Sequence, residues 1–169
     1  MAKQISLREF QQGLAQRLRE AQTEAEPTSR LGIQAGNSSW LLKLDDAGEM
    51  LPLPEISAVP LTRPWYLGLA NIRGVLSSVV DFSAFSGGET TTRTPDCRLL
   101  LIAERFQCFS GLMISRMLGL KNVQAMQPVQ EGIARPWIAG TFRDEEGRMW
   151  HELNVGALVA HEDFLHVGA

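Results

Sequence analysis

Long apolar runs are missing from this sequence: nowhere in its 169 residues do the ~18 uncharged apolar side chains of a membrane-spanning helix follow one another. The opening residues MAKQISLREF lack the apolar stretch of a secretory signal. With only two cysteines in the chain, the expectation is a reducing, cytoplasmic compartment. Basic excess is absent as well. A net charge of −3 leaves no concentrated cationic patch, which argues against a nucleic-acid partner. Phosphate-binding GxxxxGK[ST], dinucleotide-binding GxGxxG and nucleophile-elbow GxSxG patterns do not occur. No segment repeats at a fixed period. What is present is ordinary for a globular chain: 44% hydrophobic residues, enough to exclude intrinsic disorder, in a length that suits one domain or two small joined lobes.

The first segment has the pattern of an amphipathic helix. Ser6-Leu7-Arg8-Glu9 carries the spacing of a capping box. Leu7, Phe10, Leu14, Leu18 and Ala21 then recur at helical intervals, and Pro27 ends the pattern. Such a stripe has to dock, either on its own body or on a partner. With only three arginines and no aromatic belt it is a poor membrane-surface helix.

The remainder predicts short strands. Residues 31–35 and 40–44 flank the turn formers Gly36-Asn37-Ser38-Ser39 and predict a hairpin. Pro52, Pro54, Pro60 and Pro64 keep the next stretch out of regular helix. VLSSVVDF at residues 75–82 is a strand with small and β-branched residues on both faces, which suits a tightly packed barrel. Residues 86–96 read as a polar loop. Hairpins are predicted from residues 98–104 with 107–115, and from 138–143 with 148–155, followed by a short closing helix over 156–165. Frequent turns between short strands indicate an all-β barrel architecture.

Chemistry-bearing residues are few. His161 and His166 are five apart, which is not the i, i+4 spacing that puts two metal ligands on one helical face. Cys97 and Cys108 lie on opposite strands of one predicted hairpin and read as free thiols. Ser77-Ser78 has no histidine near it in sequence, and Asp45-Asp46 fits an exposed strand end as well as a carboxylate pair. Two further classes stay open beside a binding module. One is a small β-barrel hydrolase using Asp45, Asp46 or the C-terminal histidines. The other is an oligonucleotide-binding barrel, which lacks here its interleaved basic and aromatic residues.

Residues 64–82, PWYLGLANIRGVLSSVVDF, are more specific. Trp65, Tyr66, Gly68, Asn71, Ile72, Arg73 and Gly74, followed by Val79, Val80, Asp81 and Phe82, resemble the signature of the CheW-like family. Ala47-Gly48-Glu49-Met50 falls where that family has a Val-x-Glu-Ile element. Residues 98–103 with Gly111-Leu112-Met113-Ile114 resemble its second-lobe hairpin, and Leu153-Asn154-Val155 its end. The likeness runs over residues 30–165, leaving residues 1–28 as a leading helix and linker. Ser77 and Ser78 depart from the pattern, as does Ser115-Arg116-Met117 where Asp-Gly-Val is frequent. The Trp-bearing motif and the leading helix look most like the twitching-motility, PilI-type branch of type IV pilus systems. A general flagellar chemotaxis adaptor is the alternative.

The resemblance implies a mainly β protein of two packed, five-stranded, SH3-like barrel lobes. It implies a non-catalytic adaptor between the cytoplasmic tip of a methyl-accepting receptor and the regulatory domain of a CheA-type histidine kinase, held near the membrane through receptor arrays without inserting into it. It implies no cofactor and no metal. Ala47 and Glu49, with Arg73 close by, match positions of kinase pairing in the first lobe. Leu99 and Ile114, with Met113 or Met117 nearby, are candidates for the floor of a receptor groove between lobes, or else for core. Arg73 can clamp a partner carboxylate, or bind Glu49 and fix the local geometry. Asn71 and Gly74 read as turn formers and Asp81 as structural.

Overall fold

A computed structural model of the chain describes residues 28–130 and 134–169. The predicted leading helix lies outside the described residues. The strands fall into two mixed sheets. One is built from β1 (Ser29–Ala35), β2 (Ser38–Lys43), β8 (Arg116–Asn122), β9 (Gln127–Val129), β10 (Ile138–Arg143) and β11 (Met149–Leu153), in the spatial order β8-β1-β2-β11-β10-β9. The other is built from β3 (Ala47–Pro52), β4 (Tyr66–Ile72), β5 (Val75–Asp81), β6 (Arg98–Ile102) and β7 (Ser110–Ile114), in the order β3-β6-β7-β5-β4. The five-stranded sheet is thus an insertion between β2 and β8. The three predicted hairpins form, as β1–β2, β6–β7 and β10–β11. The predicted closing helix is two short ones, α2 (Val155–Ala160) and α3 (Glu162–Leu165), each N-capped by a side chain, Asn154 and His161. A single turn, α1 (Phe82–Phe85), follows β5.

The expected pair of five-stranded barrels is corrected. One sheet has six strands, and neither ladder closes. Both sheets are nevertheless curled. Asn122 and Gln127 stand on opposite edges of the six-stranded sheet but are five residues apart, a reach of ~18 Å, whereas six flat strands would separate the edges by ~24 Å. The same holds in the other sheet. Ser57 bridges the outer edge of β4 at Leu69, only five residues after Pro52 ends β3 on the far edge. In the six-stranded sheet β8 and β9 remain the two unpaired edges, and Pro128 of β9 is accommodated there opposite Phe142.

The main core lies between the sheets. Leu31, Ile33, Trp40 and Leu42 meet Val80, Phe82, Leu100, Leu112 and Ile114, with Leu158 and Phe164 of the closing helices joining them. A smaller core, Ala70, Val79, Leu99 and Met113, fills the hollow of the five-stranded sheet itself. Strands β5, β6 and β7 therefore bury both faces: Val80, Leu100 and Leu112 point one way, Val79, Leu99 and Met113 the other. This is the physical reason for the unbroken apolar runs at residues 79–80, 99–102 and 112–114.

Two features of the 64–82 motif are explained by backbone. Gly68 has φ of +132° at a break in the β4–β5 register, and a Cβ there would collide with the Ser57 carbonyl. Asp81 is fully buried. Its carboxylate accepts from Thr91 N (2.7 Å) and Thr91 Oγ1 (2.8 Å) and caps α1 at Ala84 N (3.4 Å), tying the 86–96 loop to the sheet end.

Leu99→Ala is expected to cost ~2–5 kcal/mol, the usual range for truncating a buried leucine, read as a fall in thermal midpoint. Leu99→Arg should do worse, leaving little folded protein, because it buries an unpaired charge. A Leu99→Arg protein with the wild-type midpoint would refute the core assignment.

Candidate functional site

The β4–β5 connection is a two-residue turn. Ile72 pairs with Val75, and Arg73 and Gly74 between them have φ of +53° and +86°. Both angles are left-handed, the signature of a type I′ hairpin turn, and Gly74 takes its angle without strain. Asn71 Oδ1 accepts the Gly74 N–H at 2.7 Å and holds the turn shut. The turn formers expected at Asn71 and Gly74 are thereby borne out. The turn throws Arg73 across the sheet toward β3, where its two terminal nitrogens donate to the two oxygens of Glu49, at 2.7 and 2.5 Å. The pair is bidentate yet open to solvent, with Arg73 72% and Glu49 42% exposed. Ala47, half-buried, pairs with Ile102 at the other end of the β3 bulge.

This ion pair stands at the rim of a groove of about 940 Å³ whose apolar lining includes Ile72, Val75, Leu101, Cys108 and Phe109. Phe109 is 69% exposed, and Leu76, beside Val75 on the same hairpin, 61%. Phe109 and Leu76 were not singled out by sequence reasoning. Their signal was available only as apolar residues inside predicted strands, where half of all positions face outward.

The residues expected to floor a receptor groove separate. Leu99, Met113 and Ile114 are all buried, at 0%, 1% and 0% exposure, and belong to the two cores. They present no surface, which corrects the groove assignment for these three. They also lie in the same sheet as Glu49 and Arg73, not in a separate lobe. Met117 stands apart, 53% exposed on edge strand β8 opposite Ile33, two ladder steps from Leu120, which is 65% exposed opposite Leu31. Two apolar side chains on the inward side of an unpaired edge remain uncovered by the rest of the described fold.

The other chemistry-bearing residues serve local structure. His161 Nδ1 accepts from Asp163 N at 3.2 Å, and the ring meets Trp137 edge-on at 4.9 Å. His166 contacts the Glu162 carbonyl. Cys97 and Cys108 are free thiols. Ser78 bonds the Tyr66 hydroxyl at 3.0 Å, and Asp46 is buried against Arg105. Among the described residues no three His, Cys, Asp or Glu side chains gather where they could hold a metal ion.

His151 lies where the β1–β2 turn meets β11. Its ring packs on Trp40 (5.2 Å) and its Nδ1 is 3.3 Å from Thr141 Oγ1. Burial lowers its pKa below the ordinary 6.5. The fold thus favours the neutral ring. Its contribution to stability is complete above pH ~6.5 and is lost as pH falls below that value, because the unfolded chain takes up the proton first. Relative to His151→Gln, the wild type should lose thermal midpoint on going from pH 7 toward pH 5. Parallel pH profiles for the two proteins would contradict this.

Comparison with known proteins agrees with this geometry. The CheW-like domain family matches residues 30–163. Protein PilI of Pseudomonas aeruginosa is 29% identical over 153 residues, covering 87% of this chain and 84% of that protein. The crystal structure of the scaffolding protein TtCheW from Thermoanaerobacter tengcongensis shares the fold, with a TM-score of 0.66 at 15% identity over 80% of this chain and 94% of that one. With its two curled sheets, its Asn-Ile-Arg-Gly turn and a family match over most of its length, the chain belongs to the CheW-like family of non-catalytic scaffold adaptors in chemotaxis-type signalling.

Proposed function

We propose that the protein couples the cytoplasmic tip of a methyl-accepting receptor to the regulatory domain of a CheA-type histidine kinase, in a cytoplasmic chemosensory system that controls type IV pili. The pilus output is supported by the similarity to PilI. The observation that carries the reading is the Arg73–Glu49 pair. An exposed ion pair contributes only ~0–1 kcal/mol to folding. A bidentate clamp held by a left-handed turn over an apolar groove is therefore better accounted for as a surface preset for a partner. A planar five-donor group fixed in this way can exchange Glu49 for a partner carboxylate, or present Glu49 to a partner cation. We assign kinase contact to Ala47, Glu49 and Arg73, with Phe109 as the apolar anchor, because large exposed aromatics beside a charged rim are the residues that carry binding energy. Receptor contact is assigned to Met117 with Leu120. A flexible thioether on an open edge adapts to the apolar stripe of a coiled-coil tip.

Both contacts should be small and individually weak, at the low end of buried area, and gain strength in an array by multivalency. Arg73→Glu is expected to keep the thermal midpoint within about 2 °C, since exposed substitutions are near neutral. The same variant should lose kinase from pull-downs, and Glu49→Arg in the same chain should restore part of it. Met117→Arg should lose receptor and keep kinase. Wild-type recovery of both partners by folded Arg73→Glu and Met117→Arg proteins would overturn the assignment. A deletion strain that swims normally but fails to twitch would support the pilus output. The reverse phenotype would point to a flagellar adaptor.

A further inference from the structure

A second cleft, of about 560 Å³, lies where the β1–β2 turn of one sheet meets the 83–92 segment that follows the other. It plays no part in the adaptor reading. Glycines let its wall segments approach one another closely. A Cβ on Gly87 would come within 2.7 Å of Arg135 Nη2, and one on Gly88 within 2.8 Å of Ser83 Oγ; one on Gly36 would collide with the same oxygen. Arg135 is half-buried, lies over the Trp137 ring at 5.5 Å, and has no carboxylate partner among the described residues. Two groups belonging to cleft-lining residues lack hydrogen-bond partners among the described residues: Trp40 Nε1, on a side chain only 3% exposed, and Ser86 Oγ. A buried donor without an acceptor is costly, about 1–3 kcal/mol in general.

The surplus is of donors, and it has one sign. Indole N–H and guanidinium offer no acceptor, and a serine hydroxyl can donate. A single acid lines the cleft, the exposed Glu89. A smaller pocket of about 320 Å³ shares Asn37, Ser38 and His151 with it and adds Arg116 and Arg148. Arg116 donates to the neutral Gln34 Oε1 at 2.6 Å. The trough as a whole is cationic in a chain whose net charge is −3.

We propose that this cleft binds a small carboxylate anion, with Arg135 as its principal contact, Ser38 and Thr90 as hydroxyl donors at the mouth, and Trp40 and Ser86 among the lining residues behind them. Trp40 Nε1 and Ser86 Oγ are shut off from bulk solvent and form no ready-made contact, so Trp40 serves as the reporter of the cleft. Arg135 meets the anion first. A planar fork suits a planar carboxylate in two parallel bonds. The carboxylate can belong to a free organic acid or to an acidic side chain of a bound protein, and the two sources separate experimentally.

The four tryptophans give four indole N–H signals in a proton–nitrogen correlation spectrum, and Trp40→Phe identifies that of Trp40. The ¹⁵N-labelled full chain is titrated at constant ionic strength with sodium malonate, with a blocked Glu-Glu dipeptide, with inorganic phosphate and with sodium chloride. The expected result is a saturable shift of the Trp40 signal with malonate or with the dipeptide. Saturation by malonate assigns the site to a free acid, and saturation by the dipeptide alone to a partner's side chain. Arg135→Gln should weaken the affinity about tenfold or more, as loss of a charge-assisted pair does, and Arg135→Lys should recover part of it. Shifts that never saturate, that sodium chloride or phosphate alone reproduces, or that survive in folded Arg135→Gln protein would overturn the proposal. Should Arg135→Gln fail to fold, Gly87→Ala, which narrows the cleft from the other wall, is to abolish the same saturation; unchanged saturation in that variant also overturns it.

Discussion

Three strands buried on both faces hold this molecule together. Val79 and Val80, Leu99 and Leu100, and Met113 and Leu112 each place the first-named side chain in the hollow of the five-stranded sheet and the second in the core shared with the six-stranded sheet. Neither sheet can be removed without uncovering the other. At roughly 1.5–3 kcal/mol for each large apolar side chain withdrawn from water, that sharing outweighs any polar contact on the surface. It also explains the chain path. The five-stranded sheet is inserted between β2 and β8, and the closing helices return to the common core through Leu158 and Phe164.

The rigid core is what makes the exposed features useful. The Arg73–Glu49 clamp is worth little to folding, yet its position is determined by the β4–β5 turn on one side and the β3 bulge on the other, both anchored on buried strands. Asp81 does the same for the second cleft. It holds Thr91 from within the core and so sets where the glycine-walled 83–92 segment stands. A non-catalytic adaptor works by offering surfaces at defined places, and here each surface is the exposed end of a buried element.

Much of this was legible in the residues. Alternation and turn chemistry located the β1–β2, β6–β7 and β10–β11 hairpins but not the β4–β5 one, and the PWYLGLANIRG motif pointed to the family and to Arg73. Asn71, Gly74 and Asp81 have the structural roles that their types imply. The failures have physical causes. Leu99, Met113 and Ile114 sit in runs that are apolar on both faces, so alternation could not say which side met solvent, and burial on both sides was the outcome. Strand β9 is three residues long and contains Pro128, which sequence rules demote, while pairing with β10 accommodates it on an edge. Barrel closure depended on whether two edges meet, which no local pattern encodes.

The sequence alone determined most of the strands (β3, β4, β8 and β9 excepted), the turns between them and the chemistry available to them, because these follow from backbone preferences and from the period of apolar side chains over a few residues. Only the tertiary structure decided that Glu49 answers Arg73 from 24 positions away, that Trp40 and Arg135 line one cleft, and that Met117 is open while Met113 is buried. Those outcomes depend on how two curled sheets nest, a long-range constraint that acts on distances in space instead of intervals along the chain.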